Sequence, residues 1–181
     1  MFFIKTIELL RNGKRVKVSS VLSKYNPLKD AIVQDPYKTR DYIIFGGLVF
    51  QELSIDYLKT WGTDWTEKGP LTYLKKVLYD YENFVSTDHI VILNTVLADK
   101  VNKGYDSLGD LVLAKINGIS VTSIKQLRNL MDGINEDFAV LEFEPYGYRV
   151  ILDVNEVKDS ADRIVKRYNL GKQSKVFGQK L

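Results

Sequence analysis

The chain has 181 residues, of which 45% are apolar and 27% charged, and 26 basic against 23 acidic side chains leave a net charge of +3. This balance predicts a folded protein with a solvated surface, and it argues against disorder and against a basic surface that tracks phosphates. The lack of cysteine excludes disulfides, thiolate nucleophiles and cysteine zinc sites, and the single histidine excludes clusters of histidine ligands. No membrane span or signal peptide is expected, because no apolar run approaches about 18 residues and the first residues lack a basic region followed by an apolar one.

The first predicted element is a β-hairpin within residues 1–19. Its two strands flank Asn12-Gly13, a dipeptide favoured in two-residue type I′ turns. A lone hairpin is only marginally stable in water, so this one must pack either on a later part of the chain or on a preceding domain. The polar residues 20–41 that follow are predicted to be a linker.

Residues 42–53 form a run of strand-forming residues that the pair Gly46-Gly47 interrupts. Glycine is rare inside strands, so a pair of them suggests a sharp turn that presents free N–H groups before pairing resumes. That geometry suits capture of a peptide's terminal carboxylate, followed by strand addition along residues 49–53. A bulge, or a close contact with a neighbouring element, explains this segment equally well.

The remaining elements mix helices and strands, which predicts an α+β fold. In chain order they are a helical insert over residues 54–88 with its main helix at 70–84, strands at 90–97 and 111–116, a helix from Ser123 to Gly133, strands at 138–143 and 149–152, and a helix capped by Asn155 with Gly171 at its end. The last ten residues are polar and are expected to be flexible.

No residue pattern supports an active site in this chain. His89 has no nucleophile turn of the Gly-x-Ser-x-Gly type to serve, so a surface or capping role is expected. The acidic pairs Asp106/Asp110 and Glu142/Glu144 lie in predicted loops and strands, which favours turn and surface roles over acid–base work. We therefore expect a binding or structural module with no catalytic residue, no cofactor and no metal.

Taken in this order, residues 42–153 resemble a PDZ domain. The stretch from Phe45 to Phe50 (Phe-Gly-Gly-Leu-Val-Phe) resembles the carboxylate-binding loop and the groove strand after it. Residues 109–118, Gly-Asp-Leu-Val-Leu-Ala-Lys-Ile-Asn-Gly, closely resemble the family's "G-D-x-I-x-x-x-N-G" signature. With the long insert and residues 96–105 (Val-Leu-Ala-Asp-Lys-Val-Asn-Lys-Gly-Tyr), the chain is most similar to the C-terminal PDZ-like domain of HtrA/Deg (Do-like) trypsin-type serine proteases, in the form found in plants and some bacteria.

The resemblance implies a PDZ-like, partly open β-barrel or sandwich capped by helices. The PDZ-like domain would cover residues 42–154, followed by a C-terminal helix and flexible tail over 155–181, and the hairpin would be the end of a preceding PDZ domain. The intact protein would be a serine endopeptidase whose catalytic domain is absent from this chain. Its expected partners are peptide or protein C-termini, the protease domain and preceding PDZ domain of the same protein, and further copies in a homo-oligomer, with no nucleic acid.

The resemblance also implies a peptide site on an edge strand beside the helix over residues 124–131. Backbone N–H groups of the glycine loop would hold the carboxylate, the following strand would pair with the ligand, and the helix would line an apolar pocket. The implied residues are Phe45, Gly46, Gly47, Leu48, Val49, Phe50, Ile124, Leu127 and Met131.

Two other hypotheses remain open from the sequence. The domain could instead assemble the protease through a closed groove, which the apolar residues Trp61, Trp65, Leu74 and Leu78 of the insert favour because extra apolar surface needs a partner. The tail over residues 175–181 could also dock in a neighbouring groove as an autoinhibitor.

Overall fold

The computed structural model describes residues 3–22, 41–78, 89–171 and 175–178. Most of the predicted linker and the end of the predicted insert helix lie outside these ranges. The strands are β1 (Phe3–Arg11), β2 (Lys14–Leu22), β3 (Tyr42–Phe45), β4 (Leu48–Glu52), β5 (Val91–Val96), β6 (Leu111–Ile116), β7 (Ile119–Ser120), β8 (Phe138–Glu144) and β9 (Tyr148–Asp153). The α-helices are α1 (Ile55–Leu58), α2 (Trp65–Lys68), α3 (Leu71–Leu78), α4 (Ile124–Asp132) and α5 (Val154–Arg167), with 3₁₀ turns at Lys59–Trp61 and Lys100–Asn102.

The predicted hairpin is present and forms a sheet of its own. β1 and β2 pair antiparallel around Asn12-Gly13, whose φ angles of 52° and 74° are those of a type I′ turn. Four apolar side chains share one face, and they are between 40% and 58% exposed, so none of the described residues covers them: Ile7, Leu9, Val16 and Val18.

The other strands form one antiparallel sheet in the order β3-β4-β5-β6-β8-β9, with β7 paired to β6. The order begins at β3 and ends at β9, so the sheet is open. Side chains alternate between its two faces, as the strand period requires: in β5, Val91 and Leu93 lie in the main core, whereas Ile92 lies in a second cluster on the other face. With its helices this sheet confirms the predicted α+β, PDZ-like fold.

The insert packs on that second face. It begins where the sequence indicates, because the Ser54 hydroxyl accepts a hydrogen bond from the Tyr57 N–H at 3.1 Å. Trp65 and Leu74 are 9% and 6% exposed, and they pack with Ile92 of the sheet. For Trp65 and Leu74 the expectation of a partner outside the chain is wrong, since their own sheet buries them. Trp61 is only partly buried, and the side chain of Leu78 lies outside what the structure describes.

The last helix starts and ends earlier than predicted. Asp153, not Asn155, is the N-cap, and its Oδ1 accepts hydrogen bonds from the N–H groups of Asn155 at 2.8 Å and Glu156 at 3.0 Å. Asp153 caps the helix in preference to Asn155, because its carboxylate also carries a negative charge that is stabilised at the helix amino terminus. At the other end Asn169 takes the left-handed conformation with φ of 48°, so Gly171 is not needed to end the helix. None of the described helices is long and apolar enough to cross a bilayer.

Candidate functional site

The strand expected to receive a peptide, β4, is paired along both edges. On one side β3 places Phe45 opposite Leu48, and on the other side β5 places Val96 opposite the same residue. A further strand cannot be added, because backbone donors and acceptors on both sides are already engaged. The expectation of an unpaired edge at Leu48, Val49 and Phe50 is therefore wrong: residues 42–45 form their own strand and fill that position.

The two glycines form the tight turn that returns β3 onto β4. Gly46 and Gly47 have φ angles of 55° and 88°, a conformation that side chains rarely adopt. A Cβ on Gly47 would lie 2.3 Å from Asn102 Nδ2 and 2.4 Å from the Leu97 carbonyl oxygen, so a neighbouring element fills the space above this residue. Gly47 is buried, and its own carbonyl accepts a hydrogen bond from the Leu97 N–H at 2.7 Å. The geometry matches the close-contact explanation of the double glycine.

Asn102 is the residue that anchors this turn. Its side chain is 1% exposed, and its Nδ2 donates to the carbonyls of Gly46 at 2.7 Å and Leu97 at 2.8 Å. Its Oδ1 accepts from the Asp99 N–H at 3.0 Å, while Asp99 Oδ1 accepts from the Val101 N–H at 3.2 Å. This reciprocal pair is a capping box on the 3₁₀ turn, and it fixes the asparagine so that it can reach the glycines.

Asp99 extends the network to α5. Arg163 donates from Nε to Asp99 Oδ2 at 2.8 Å and from Nη2 to Oδ1 at 2.6 Å, a two-point contact with a carboxylate that is 2% exposed. The Arg163 guanidinium holds the pKa of the Asp99 carboxyl below its usual range, and the Val101 N–H acts in the same direction. A chain of hydrogen bonds therefore runs from Arg163 on α5 through Asp99 and Asn102 to the glycine turn.

The structure does bring the predicted pocket residues together, but as core. Ile124, Leu127 and Met131 on α4 are 5%, 0% and 0% exposed, and they share one cluster with Phe45 and Phe50. Ile43 and Phe45 of β3 project into this same cluster. The apolar space expected to receive a ligand side chain is thus occupied by the chain itself.

The amino end of α4 is also tied to β4. The Ile124 N–H donates to Glu52 Oε1 at 3.0 Å, and the predicted cap Ser123 accepts from the Gln126 N–H at 3.1 Å. Helix and strand are therefore joined directly at this end.

The outer edge of β3 carries a segment from the predicted flexible tail. The Ile44 N–H donates to the Lys175 carbonyl at 2.9 Å, and the Phe177 N–H donates to the Ile44 carbonyl at 2.9 Å, which makes a parallel bridge between Ile44 and Val176. The Phe177 ring lies 5.0 Å from that of Phe45. Residues 175–178 thus add one isolated β-bridge to the edge of the sheet, in a region predicted to be a flexible tail.

An aromatic cluster holds the insert against the turn before β6. The Tyr57 and Tyr73 hydroxyls both donate to Asp110 Oδ1, at 2.8 Å and 3.4 Å. Burial raises the pKa of both phenols, and the Asp110 carboxylate raises them further. Both therefore remain neutral hydrogen-bond donors well into the alkaline range.

The other polar candidates have structural surroundings. Glu142 pairs with Arg149 at 3.4 Å, and Glu144 pairs with Lys76 of the insert at 2.7 Å. His89 precedes β5, and its Nδ1 is buried without a hydrogen-bond partner among the described residues. Within those same residues no group of three or more His, Asp or Glu side chains could hold a metal ion.

The roles of Asp99, Asn102 and Arg163 are not predicted by the sequence patterns described above. The spacing Asp-x-x-Asn before a turn is a capping-box pattern, and it was the one local signal that could have pointed to the first two. Nothing near Arg163 in the sequence indicates its partner, which lies 64 positions away.

The sequence is similar to a protein family and to several curated proteins. The model of a family described as "PDZ domain" matches residues 33–175. Protease Do-like 2, chloroplastic, from Arabidopsis thaliana is 31% identical over 92% of this chain and 26% of its own length. Protease Do-like 4, mitochondrial, from the same plant is 24% identical over 91% of this chain and 28% of its own, and a serine protease DegP homolog from Plasmodium falciparum is 29% identical over 72% and 14%. The chain therefore spans about a quarter of the length of the plant relatives.

Proposed function

Because the chain belongs to the PDZ domain family, we propose that it is a non-catalytic module of a Do-like serine protease whose peptide groove is closed and whose role is in assembling the protease. The observation that carries this proposal is the pairing of β3 with β4, along the edge where a peptide would be added. The names of the matched relatives supply the protease context.

The cost of opening the groove supports a closed state. A peptide could pair with β4 only if β3 left, which would return Ile43, Ile44 and Phe45 to water from exposures of 4%, 2% and 0%. At about 2 kcal/mol for each side chain the cost is about 6 kcal/mol, which leaves about one molecule in 10⁴ open. A groove with a micromolar intrinsic dissociation constant would then show one of about 10 mM, too weak for capture of peptide C-termini.

Peptide titration tests the closed groove directly. The 181-residue chain, labelled with ¹⁵N, is titrated with a hydrophobic-ended peptide and with its amidated form. We expect no saturable shift of the Gly46, Gly47 and Leu48 amide signals up to about 1 mM, a limit set by the weakened affinity. Shifts of these signals that require the free carboxylate would show an open groove and refute the proposal.

The hairpin supplies the surface through which the module would pack on its neighbour. One face carries Leu9 opposite Val16, and the other carries Glu8 opposite Lys17. The hairpin pairs only with itself within the described residues, and it lies outside the segment that the PDZ model matches. A two-stranded sheet with one uncovered apolar face needs a cover for stability. We assign that cover to a preceding PDZ domain of the intact protein, whose sheet the hairpin would complete.

Two neighbouring leucines offer a matched test of this assignment. Leu9 lies on the apolar face and Leu10 on the opposite face, where it is 76% exposed. In the intact protease we expect Leu9→Lys to destabilise the hairpin contact by about 2 kcal/mol and to speed hydrogen exchange of the hairpin amides, while Leu10→Lys changes neither. In the 181-residue chain neither variant should change the hydrogen exchange of the hairpin amides. Equal effects in the intact protein would remove the hairpin from the interface.

A further inference from the structure

We propose that the outer edge of β3 is a second peptide-binding site, which takes a Val-Phe-Gly segment that pairs parallel to the strand at its valine and turns at its glycine. Residues 175–178 are its resident intramolecular ligand. The inference rests on the proposed closed groove, because β3 must fill that groove for its far edge to become the end of the sheet.

The backbone of β3 requires an occupant at this edge. Ile44 stands opposite Val49 in the antiparallel ladder, yet its N–H and C=O both bond to the tail segment, at 2.9 Å each. Both groups therefore point away from β4, as they do in a non-hydrogen-bonded pair. With the segment in place Ile44 is 2% exposed, so the segment both covers this donor and acceptor and supplies their hydrogen-bond partners.

The site contacts two apolar side chains of the segment, Val176 and Phe177. Val176 is 8% exposed and lies in one cluster with Ile44, Ala161 and Ile164, between β3 and α5. The neighbouring Phe177 points to the other side, as strand alternation requires, and packs against the main core. The site thus selects a β-branched residue followed by an aromatic one.

The third position selects glycine by contact and by conformation. Gly178 has φ of 82°, and a Cβ there would lie 2.7 Å from Lys158 Cα of α5. That neighbour is backbone of a helix, so it cannot move aside as a flexible side chain would. A ligand without glycine at this position would be excluded.

The geometry favours an internal segment over a chain end. The resident segment runs parallel to β3 and follows a cleft of about 540 Å³ lined in part by Asp132, Lys158 and Asp159. Two acidic side chains against one lysine leave this wall with a net negative charge, which disfavours a terminal carboxylate, whereas a continuing chain brings no such charge. The ligand class is therefore a Val-Phe-Gly stretch within a longer chain, turning at its glycine.

The resident segment competes with any ligand in trans. A tethered segment of this kind acts at an effective concentration of about 1 mM, which a free peptide must exceed or outbind. A free peptide therefore binds only when it displaces residues 175–178. Weakening the contacts of that segment should raise the apparent affinity of the free peptide without changing the site.

The experiment weakens the resident segment and leaves β3 and α5 intact. Gly178→Val adds a side chain where backbone blocks it, and Gly171→Val is the matched control, because Gly171 is exposed and has nothing within 4 Å. The probe is a fluorescein-labelled Lys-Val-Phe-Gly-Gln peptide, amidated, followed by anisotropy on the full 181-residue chain. We expect at least tenfold tighter binding to Gly178→Val than to the wild type or Gly171→Val, and no binding of a Lys-Val-Phe-Val-Gln probe. Circular dichroism checks folding, and Phe177→Ala serves as the second weakening variant.

The other outcomes would overturn the proposal. Equal affinity for the wild type and both weakened variants, or no binding to any, would show that the edge takes no ligand in trans. A wild-type dimer that Gly178→Val converts to monomer would assign the bridge to a tail from a second copy. Failure here leaves the closed groove standing, since that is tested separately by the shifts of Gly46, Gly47 and Leu48.

Discussion

Replacing Gly47 with alanine is the sharpest test of why the double glycine is there. Gly47 and Gly104 have nearly the same φ, 88° and 91°, but a Cβ on Gly104 would meet nothing within 4 Å. Gly104→Ala should therefore lower the free energy of unfolding only by the cost of the left-handed conformation, about 1–2 kcal/mol. It is the matched control for Gly47→Ala, in which the same conformational cost is joined by the cost of the close contacts.

The additional cost at Gly47 follows from the distances. Its Cβ would lie 2.3 Å from Asn102 Nδ2 and 2.4 Å from the Leu97 carbonyl oxygen, so these atoms must move by about 1 Å. Overpacking of this kind costs about 1–3 kcal/mol. Displacing Asn102 also weakens its bonds to the Gly46 and Leu97 carbonyls, at about 1 kcal/mol each. We expect Gly47→Ala to be about 3–4 kcal/mol less stable than Gly104→Ala.

Urea and thermal unfolding of the 181-residue chain, followed by circular dichroism, measure this difference. For a domain of this size it corresponds to a lowering of the melting temperature by about 10 °C relative to Gly104→Ala. Equal loss of stability in the two variants would refute the close-contact explanation. It would mean that the space above Gly47 is open, as a carboxylate-binding loop requires.

Three further predictions concern the network and the insert. Asn102→Ala should cost about 3 kcal/mol in urea unfolding, because it leaves two carbonyls and one N–H unpaired; a loss under about 1 kcal/mol would show that Asn102 is no anchor. Arg163→Ala should cost about 2 kcal/mol at pH 7. Since the Asp99 pKa is lowered by folding, this difference should be complete above the unfolded pKa of about 3.9 and disappear as pH falls through the folded value; unfolding curves that keep it at pH 2 would contradict the pairing. Since folding raises the pKa of Tyr57 and Tyr73, stability should fall above pH 10 by up to about 1.4 kcal/mol per pH unit for each, and changing both to Phe should flatten that fall; an unchanged slope would argue against their burial.

Local signals in the sequence predicted most of the elements. Asn12-Gly13 specifies its turn because both residues tolerate positive φ, and Ser123 starts α4 because its hydroxyl accepts from the helix backbone. Where two neighbouring residues compete for one role, as Asp153 and Asn155 do, the prediction was off by two positions. Such errors reflect small energy differences between adjacent caps.

The sequence predicted which residues of the candidate site lie together, but it did not predict whether they form an open groove or a closed core. Phe45, Ile124 and Met131 do meet, because the order of elements places that helix beside the glycine turn. Whether they form a groove or a core depends on what pairs with β4. Residues 42–53 are predicted as one strand that Gly46-Gly47 interrupts, whereas the two glycines form a two-residue hairpin turn that lays β3 along the edge of β4.

Composition, periodicity and short signatures were enough to predict an α+β fold in which helices cover a sheet. Only the tertiary structure decided that β3 fills the groove, that Asn102 and Arg163 brace the glycine turn, and that Val176 extends the sheet. The physical reason is range. Caps and turns, including the glycine turn between β3 and β4, depend on residues a few positions apart. The contacts of Asn102 with Gly46 and of Arg163 with Asp99 join residues 56 and 64 positions apart, and whether the β3–β4 hairpin or a ligand lies beside α4 is likewise decided by the packing of the whole core.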